Sequence, residues 1–395
     1  MRLWQNLRTL PRELWILSTA TLINRSGTMV LPFLALYLNK YLHYTIAEAG
    51  LALTIYGIAA LVTAPLVGKL CDIISPLKVM KFSLLLSGIL LFAFPFITNY
   101  WGIMGLTFVW SMLNESFRPA NLVLISAYSA PEQRRIAFSL NRMAINLGMS
   151  IGPAVGGFLF VYDYSLIFYI DGAAHILSFI FLAVSALKME IRKNETGNIA
   201  GSSISAIEVK ERRRRLIFFL LGMIPLFIAF FQMLSTYPLY LSNGLKLPES
   251  VYGLLFSLNT VMIIFIEVPL LNALASRSHI GLMRVGAVLI AVGFGAMAVT
   301  KTIPLLLATV VIWTFGEMIV FPTSAAYISE LAPPEKRGQF MGYYQTANNI
   351  AFSLGPWLGT EVYEYAGSNY LWGGAFVLGI LSAVLISYKV KVIKK

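Results

Sequence analysis

The chain has 395 residues, of which 58% are hydrophobic and only 12% are charged, whereas about a quarter of the residues of a soluble domain are charged. This composition excludes a water-soluble globule, because so much apolar side chain needs lipid as its solvent. The net charge of +12 also occurs in nucleic-acid-binding proteins. No nucleic-acid partner is expected here, since the basic residues lie in short loops and follow membrane topology.

The apolar residues form stretches of about twenty, the length of a helix that crosses a bilayer, without the alternation of barrel strands. In chain order they predict helices 1 to 6 at about 14–40, 46–70, 77–97, 101–127, 137–160 and 165–187, and helices 7 to 12 at about 216–242, 250–274, 281–300, 303–328, 338–362 and 370–390. Helix 1 is expected to be retained rather than cleaved as a signal peptide, because it lacks a small-residue cleavage site. The predicted fold class is an all-α membrane protein with twelve transmembrane helices.

A polar segment at 188–215 separates a predicted N-terminal six-helix bundle, 1–187, from a predicted C-terminal bundle, 216–395. The first part of this segment has the composition of a flexible linker. Its last part contains Arg212–Arg215, which either binds anionic lipid head groups or only fixes the orientation of helix 7. Lysine and arginine are concentrated in one set of loops and near both ends of the chain. The positive-inside rule therefore predicts an inner-membrane protein with both termini in the cytoplasm.

The two halves of the chain repeat each other from helix 4 onward. A shift of 203 positions aligns Trp110 with Trp313, Pro119 with Pro322, and Pro153 with Pro356. Two bundles of equal topology predict pseudo-symmetry about an axis along the membrane normal, with a substrate site between the halves near the midplane.

Three segments stand out as motifs: Gly68–Lys78 between helices 2 and 3, Gly148–Gly157 in helix 5, and Asn24–Gly27 in helix 1. They resemble, in that order, the loop 2–3 motif of the major facilitator superfamily, the helix 5 motif of its antiporters, and the first helix of its proton-coupled drug antiporters. The resemblance implies the major facilitator fold, secondary transport and a cytoplasmic latch that favours the outward-facing state. The chain departs from the loop 2–3 motif at Ile73 and Ser75, where Arg and Gly are usual.

Each motif also has a physical interpretation. Gly68 allows close helix approach, because it has no side chain. Asp72 lies at a cytoplasmic surface where helix N-termini carry partial positive charge, so its carboxylate can latch the two halves together, and Lys78 completes the motif. The alternative is a solvated loop aspartate.

In helix 5, a four-residue spacing places three glycines on one face, with a proline beside them that can kink the helix. These residues are Gly148, Gly152, Gly156 and Pro153. Plain packing without a role in conformational change is the alternative.

Ionisable side chains inside membrane helices are costly and usually face a cavity or a partner. Four of them lie in helices that line the cavity of the superfamily that the chain resembles, and they are predicted to bind substrate and couple protons: Arg25, Glu115, Arg118 and Glu317. Glu115 and Arg118 stand where the family usually has an Arg-x-x-Gln-Gly pattern, and their spacing puts them on one helix face. A permanent structural ion pair is the alternative for Glu115, and a local hydrogen bond is the alternative for Glu317.

Helix 6 contains Asp171 and His175 four residues apart. A structural role is expected for them, because helix 6 often packs peripherally. Glu267 precedes Pro269 in helix 8, where it has either a gating or a structural role.

A moderately apolar ligand would suit the aromatic and methionine side chains at possible cavity positions. The candidates are Tyr37, Tyr56, Trp110, Met233, Tyr237 and Trp313. Ordinary packing and enrichment near the membrane interface are the alternatives for each of them.

Together these features predict a monomeric, proton-coupled transporter that works by alternating access and exports drugs or amphiphilic metabolites. Transport of a defined anionic metabolite such as a siderophore, flipping of a lipid-linked substrate, and a receptor without transport stay open as alternatives. An enzyme is not expected, and neither a cofactor nor a metal is. The sequence contains no phosphate-binding Gly-x-x-x-x-Gly-Lys-Ser/Thr motif, no metal-ligand cluster and no nucleophile–base set.

Overall fold

The structure is a computed structural model that describes residues 5–44, 46–185, 187, 206–247 and 249–387. Within these ranges every regular element is helical. The prediction of an all-α protein is confirmed.

The helices of the first half follow a short N-terminal helix, Gln5–Arg8. Helix 1 consists of two pieces, and helices 2 to 6 are single. Their bounds in chain order are Arg12–Ser26 and Val30–Lys40, Ile46–Ile73, Pro76–Ala93, Tyr100–Tyr128, Arg134–Tyr162 and Ser165–Val184.

The helices of the second half are helices 7 to 12. They span Ala206–Phe231, Glu249–Ala273, His279–Gly295, Ile303–Leu331, Arg337–Ala366 and Ser368–Ser387. After helix 7 the chain continues through short helical turns at Gln232–Leu234, Thr236–Leu239 and Tyr240–Gly244.

Helix 1 is interrupted, and the prediction of one continuous helix over 14–40 is wrong. The first piece ends at Ser26, and the Gly27 amide bonds back to the Asn24 carbonyl at 3.3 Å. The second piece begins at Val30, whose backbone amide donates a hydrogen bond to the Asp171 carboxylate of helix 6. An apolar run does not by itself reveal such a break.

Helix 7 begins at Ala206, about ten residues earlier than predicted. Two ion pairs at four-residue spacing stabilise these added turns: Arg212 lies 2.8 Å from Glu208, and Arg215 lies 3.4 Å from Glu211. The rest of the predicted linker, 188–205, lies outside the described residues.

Within the described ranges, eight helices are long and apolar enough to cross a membrane, namely helices 2, 3, 6, 7, 8, 9, 10 and 12. The break divides helix 1 into two shorter pieces. Helices 4, 5 and 11 contain buried polar side chains, for example Asn121, Asn141 and Asn349.

By their contacts the described residues form two compact units. The first unit runs from Thr9 through helix 6 and includes the segment Pro334–Thr346. The second unit contains the rest of the second half, from helix 7 to Pro333 and from Ala347 onward, with the short helix Gln5–Arg8. The bundle boundaries drawn from the sequence stay predictions.

Candidate functional site

A buried carboxylate lies in helix 4 of the first unit. Glu115 Oε1 accepts a hydrogen bond from the Tyr56 hydroxyl at 2.8 Å. The Asn114 amide Nδ2 donates to the same hydroxyl oxygen at 2.7 Å, and the Ser111 hydroxyl donates to the Tyr56 carbonyl at 2.7 Å. Helices 2 and 4 therefore hold Glu115 through hydrogen bonds that fix its first carboxylate oxygen.

The second carboxylate oxygen faces a guanidinium group. Arg118 Nε lies 3.6 Å from Glu115 Oε2, and the Arg118 side chain is 40% exposed whereas that of Glu115 is 6% exposed. The two side chains share a helix face, as their spacing predicts. Because the Arg118 side chain is accessible while Glu115 is buried, the guanidinium can separate from the carboxylate without first having to leave the protein interior.

Arg25 of helix 1 lies close to the same site. Its side chain is buried, and its guanidinium lies 5.8 Å from the centre of the Phe117 ring. Arg118, Glu115 and Asp171 all act on it electrostatically. Two cations and two carboxylates from three helices thus lie close together in the first unit.

Helix 6 joins the same cluster. His175 Nε2 lies 3.1 Å from Asn114 Oδ1. His175 Nδ1 lies 2.9 Å from the Asp171 carbonyl oxygen and 3.2 Å from the carboxylate oxygen Asp171 Oδ1. The polar groups form a continuous chain from Arg118 through Glu115, Tyr56, Asn114 and His175 to Asp171, and we call this set the polar chain.

The polar chain ends at the break in helix 1. Asp171 Oδ2 accepts hydrogen bonds from the backbone amides of Met29 at 3.1 Å and Val30 at 3.0 Å. These amides open the second piece of helix 1, and a carboxylate there is stabilised by the unpaired N–H groups and the helix dipole. The structural role expected for Asp171 and His175 agrees with this cap, but the peripheral position expected for them does not.

The glycine face of helix 5 packs against the same break. A Cβ atom at Gly148 would lie 2.6 Å from Arg25 Cβ, and one at Gly152 would lie 2.7 Å from the Thr28 carbonyl oxygen. A Cβ at Gly156 would lie 3.1 Å from Phe33 Cε2. The glycines are therefore required by close approach to helix 1. The predicted kink concerns Pro153, whose side chain lies outside the described residues.

At the end of helix 2, Asp72 caps the start of helix 11. Its two carboxylate oxygens accept the backbone amides of Gly338 at 2.7 Å and Gln339 at 2.8 Å. A Cβ at Gly68 would lie 2.6 Å from the Gly338 carbonyl oxygen and 2.9 Å from the Gly342 Cα atom. Helix 2 therefore reaches helix 11 through facing glycines, with Asp72 at the helix N-terminus as the sequence predicts. Lys78 is exposed on helix 3.

The second unit contains a related cluster around Glu317 in helix 10. Glu317 is buried, and its Oε2 accepts a hydrogen bond from Asn259 Nδ2 of helix 8 at 2.6 Å. Asn259 Nδ2 also lies 3.0 Å from the Thr314 hydroxyl. The hydrogen bond that the sequence left open as an alternative for Glu317 is therefore present.

The repeat relates the two clusters. The 203-residue shift carries Tyr56 to Asn259 and Asn114 to Glu317. In both units the helix pair 2–4 or 8–10 is joined by a side-chain hydrogen bond between these positions. Sequence reasoning missed Asn114 and Asn259, although extending the repeat to helices 2 and 8 would have pointed to both.

Most of the predicted cavity-lining side chains pack inside their own units. Tyr37, Trp110, Tyr237 and Trp313 are each 1% exposed, Tyr56 is 5% exposed and Met233 is 7% exposed. Trp110 packs against Tyr56, with ring centroids 5.2 Å apart. Trp313 stacks on Phe294 at 5.4 Å. Ordinary packing, the alternative that the sequence left open, fits these contacts, and a lining role stays a prediction.

A groove of about 700 Å³ lies between helices 9 and 12 of the second unit. Its lining is apolar apart from Arg284 and Ser387 and includes Val285, Val288 and Val384, which are exposed valines. It contains none of the predicted site residues, so it is distinct from the clusters around Glu115 and Glu317.

Comparison with known proteins places the chain among membrane transporters. Its sequence matches the model of the Major Facilitator Superfamily over residues 14–356 and 235–394. It is 23% identical to the MFS-type transporter YqjV of Bacillus subtilis (strain 168) over 397 residues, which cover 98% of this chain and 93% of that one. It is 32% identical to the multidrug resistance protein MdtG of Proteus mirabilis (strain HI4320) over 172 residues, 42% of each chain.

Two solved structures show the same fold at low sequence identity. The human organic anion transporter MFSD10 (TETRAN) superposes with a TM-score of 0.74 at 13% identity, covering 95% of this chain and 100% of that one. A bacterial homologue of the iron transporter ferroportin, in its outward-facing state, gives a TM-score of 0.73 at 18% identity, covering 95% and 98%. At these identities the similarity concerns the fold alone.

Proposed function

Since this chain belongs to the major facilitator superfamily and is a twelve-helix transporter, we propose that it is a proton-coupled secondary transporter that exports drugs or amphiphilic metabolites. The observation that carries the proposal is the setting of Glu115. Its carboxylate is buried in a membrane helix. One oxygen accepts a hydrogen bond from Tyr56, and the other faces the partly exposed guanidinium of Arg118.

Two opposing effects act on this carboxylate. Burial disfavours its charged form, and a cation within about 4 Å favours it. A carboxyl group balanced between the two can take up a proton when Arg118 withdraws and release it when Arg118 returns. Because Arg118 is accessible, an anionic group of a substrate can compete with Glu115 for the guanidinium. Substrate and proton would then bind at linked sites.

Glu317 is the second proton-carrying candidate. It occupies the repeat position of Asn114, one residue before that of Glu115, and its hydrogen bond from Asn259 comes from a neutral amide. We assign it the smaller role, because the bond that holds it comes from a neutral amide, whereas a guanidinium lies beside Glu115.

Conformational change involves two capped helix ends. Asp72 holds the first turn of helix 11, and Asp171 holds the second piece of helix 1. We propose that the Asp72 cap forms and opens during alternating access. Such a cap contributes about 0.5–2 kcal/mol, which is small enough for a change of protonation to outweigh.

Export of drugs or amphiphiles is favoured by the similarity to a multidrug resistance protein over part of the chain. A defined anionic substrate is the second candidate, favoured by Arg25 and Arg118 in the same region. The orientation with both termini in the cytoplasm, the inner-membrane location and the monomeric state are part of the proposal and rest on the loop charges and the family.

The test is substrate-triggered proton movement in proteoliposomes that contain a pH dye. Cationic, neutral and anionic amphiphiles are added in turn to the parent protein, to Glu115→Gln and to Glu317→Gln. The exposed Glu132→Gln serves as the matched control. Proton movement with at least one amphiphile, lost in Glu115→Gln and retained in the control, is expected. Ligand binding without any proton or solute movement would favour a receptor, and lipid scrambling without either would favour a flippase.

A further inference from the structure

The hydrogen bonds of the polar chain have a defined direction. When Glu115 is ionised, the single hydroxyl proton of Tyr56 points to Glu115 Oε1 at 2.8 Å. The Tyr56 oxygen can then only accept from its other neighbour. Asn114 must therefore turn its NH₂ group toward Tyr56, as it does at 2.7 Å.

This orientation sets the protonation state of His175. With its NH₂ group on Tyr56, Asn114 presents its oxygen to His175 Nε2 at 3.1 Å, so that nitrogen must carry a proton. His175 Nδ1 faces the Asp171 carbonyl at 2.9 Å and the Asp171 carboxylate at 3.2 Å, and both are acceptors. An arrangement in which all these hydrogen bonds are made therefore corresponds to the imidazolium form of His175, with a proton on each ring nitrogen.

Protonation of Glu115 reverses the chain. Glu115 Oε2 faces Arg118, which has no acceptor, so the added proton lies on Oε1 and is donated to Tyr56. The Tyr56 hydroxyl proton then points to Asn114, which turns its oxygen toward Tyr56 and its NH₂ group toward His175 Nε2. That nitrogen must now accept, and His175 becomes neutral with its proton on Nδ1.

We propose that Glu115 and His175 share one proton: His175 carries it on Nε2 while Glu115 is ionised, and Glu115 carries it while His175 is neutral, with the hydrogen bonds of Tyr56 and Asn114 reversed between the two states. Among the described residues, the charged and titratable side chains around these two residues include Arg25 of helix 1, Tyr56 of helix 2, Arg118 of helix 4 and Asp171 of helix 6. Helix 3 presents Gly88 to His175. His175 is a positioning and proton-holding residue in this scheme.

The protonation state of His175 affects the carboxylate that anchors the break in helix 1. In the imidazolium form, His175 adds a charged partner to Asp171, which holds the amides of Met29 and Val30. In the neutral form, this charge is absent. Helix 6 also contacts the break directly, because Ala174 packs against Gly27. The protonation state of Glu115 is thereby linked to the anchoring of the second piece of helix 1.

This inference rests on the proposed proton coupling at Glu115, but its test reads His175 itself. The sequence contains three histidines, so His43→Gln and His279→Gln leave His175 as the only one. The protein is labelled with ¹⁵N-histidine and reconstituted in lipid, and ¹⁵N NMR reports the protonation of each ring nitrogen over roughly pH 5 to 8. The variants are Glu115→Gln, Tyr56→Phe, Asn114→Leu and, as matched control, Tyr252→Phe in the second unit.

Tyr56→Phe is the decisive variant, because it keeps the charge of Glu115 and cuts only the hydrogen-bond chain. We expect the ratio of imidazolium to neutral His175 to fall about tenfold at matched pH, since a hydrogen bond to a charged group is lost. Asn114→Leu should give the same result if Tyr56→Phe does not fold. Tyr252→Phe should leave the ratio unchanged, and neutral His175 should carry its proton on Nδ1.

An unchanged ratio in both Tyr56→Phe and Asn114→Leu would overturn the proposal, as would neutral His175 with its proton on Nε2. Proton movement that depends on Glu115, with a ratio of imidazolium to neutral His175 that none of the variants changes, would refute this inference and leave the proposed function standing. A ratio of imidazolium to neutral His175 that falls in Tyr56→Phe, in a protein that moves no protons, would refute the proposed function and leave this inference standing.

Discussion

Asn114 and Glu317 are repeat counterparts, and each is hydrogen-bonded to the same position of the neighbouring helix, Tyr56 in the first unit and Asn259 in the second. The chemical groups differ between the units. In the first unit the Tyr56 hydroxyl contacts both the Glu115 carboxylate and the Asn114 amide, and in the second unit the Asn259 amide contacts the Glu317 carboxylate. The repeat therefore preserves the position of a polar contact between helices 2–4 and 8–10 but not its chemistry.

The Asn259–Glu317 bond should be measurable as a coupling energy. Asn259→Leu removes the donor from a buried carboxylate, so we expect the free energy of unfolding to fall by about 1.5–3 kcal/mol. The double variant with Glu317→Leu should cost less than the sum of the single variants. Unfolding in mixed detergent and SDS micelles measures all three changes. Strict additivity would show that the two side chains do not stabilise each other.

The glycines between helices 2 and 11 should not tolerate a methyl group. In Gly68→Ala the new Cβ would lie 2.6 Å from the backbone oxygen of Gly338, which cannot withdraw without moving helix 11. We expect a loss of about 1–3 kcal/mol in unfolding free energy. Gly105→Ala in helix 4 is the matched control, because its Cβ would meet no atom within 4 Å. The control should be neutral or stabilising by up to about 1 kcal/mol, and equal losses in both variants would contradict the close contact.

The Asp72 cap should show a graded response. Asp72→Ala removes both acceptors of the Gly338 and Gln339 amides, and we expect a loss of about 0.5–2 kcal/mol. Asp72→Asn retains one oxygen and should cost less. Thermal unfolding and transport rate should both follow the order parent, Asn, Ala. A transport rate that is unchanged in Asp72→Ala would show that opening of this cap does not limit the cycle.

Asp171 should be more sensitive to substitution than the peripheral position predicted for helix 6 suggests. Asp171→Ala leaves the amides of Met29 and Val30 without their carboxylate, and we expect a loss of about 1–3 kcal/mol in unfolding free energy. Hydrogen exchange at these two amides should accelerate more than elsewhere in helix 1. As a control, Asp163→Ala at the exposed start of helix 6 should leave their exchange unchanged. Slow exchange that persists in Asp171→Ala would show that another group holds the break.

The sequence predicted the helices well and the break in helix 1 not at all. Hydropathy reports burial in lipid or protein and does not mark the residue at which a helix is interrupted. The end of one piece and the start of the next depend on Asp171, which is 142 positions away from Met29 in the chain. Local pattern carries no information about that contact.

The sequence predicted those contacts of the site that join residues close together in the chain. Glu115 and Arg118 are close because three residues separate them on one helix. The contacts of Glu115 with Tyr56, and of Asn114 with His175, join three different helices and depend on how those helices pack. Asp72 was expected at a helix N-terminus, but only the fold shows that the helix is helix 11.

The most direct test of the central claim separates proton-driven accumulation from substrate exchange in Glu115→Gln. Proteoliposomes are given either a pH gradient or an excess of internal substrate, and uptake of labelled substrate is measured. We predict that Glu115→Gln loses accumulation driven by the pH gradient but keeps substrate exchange, because the site still binds while the proton no longer does. Gradient-driven accumulation that survives in Glu115→Gln would contradict the account.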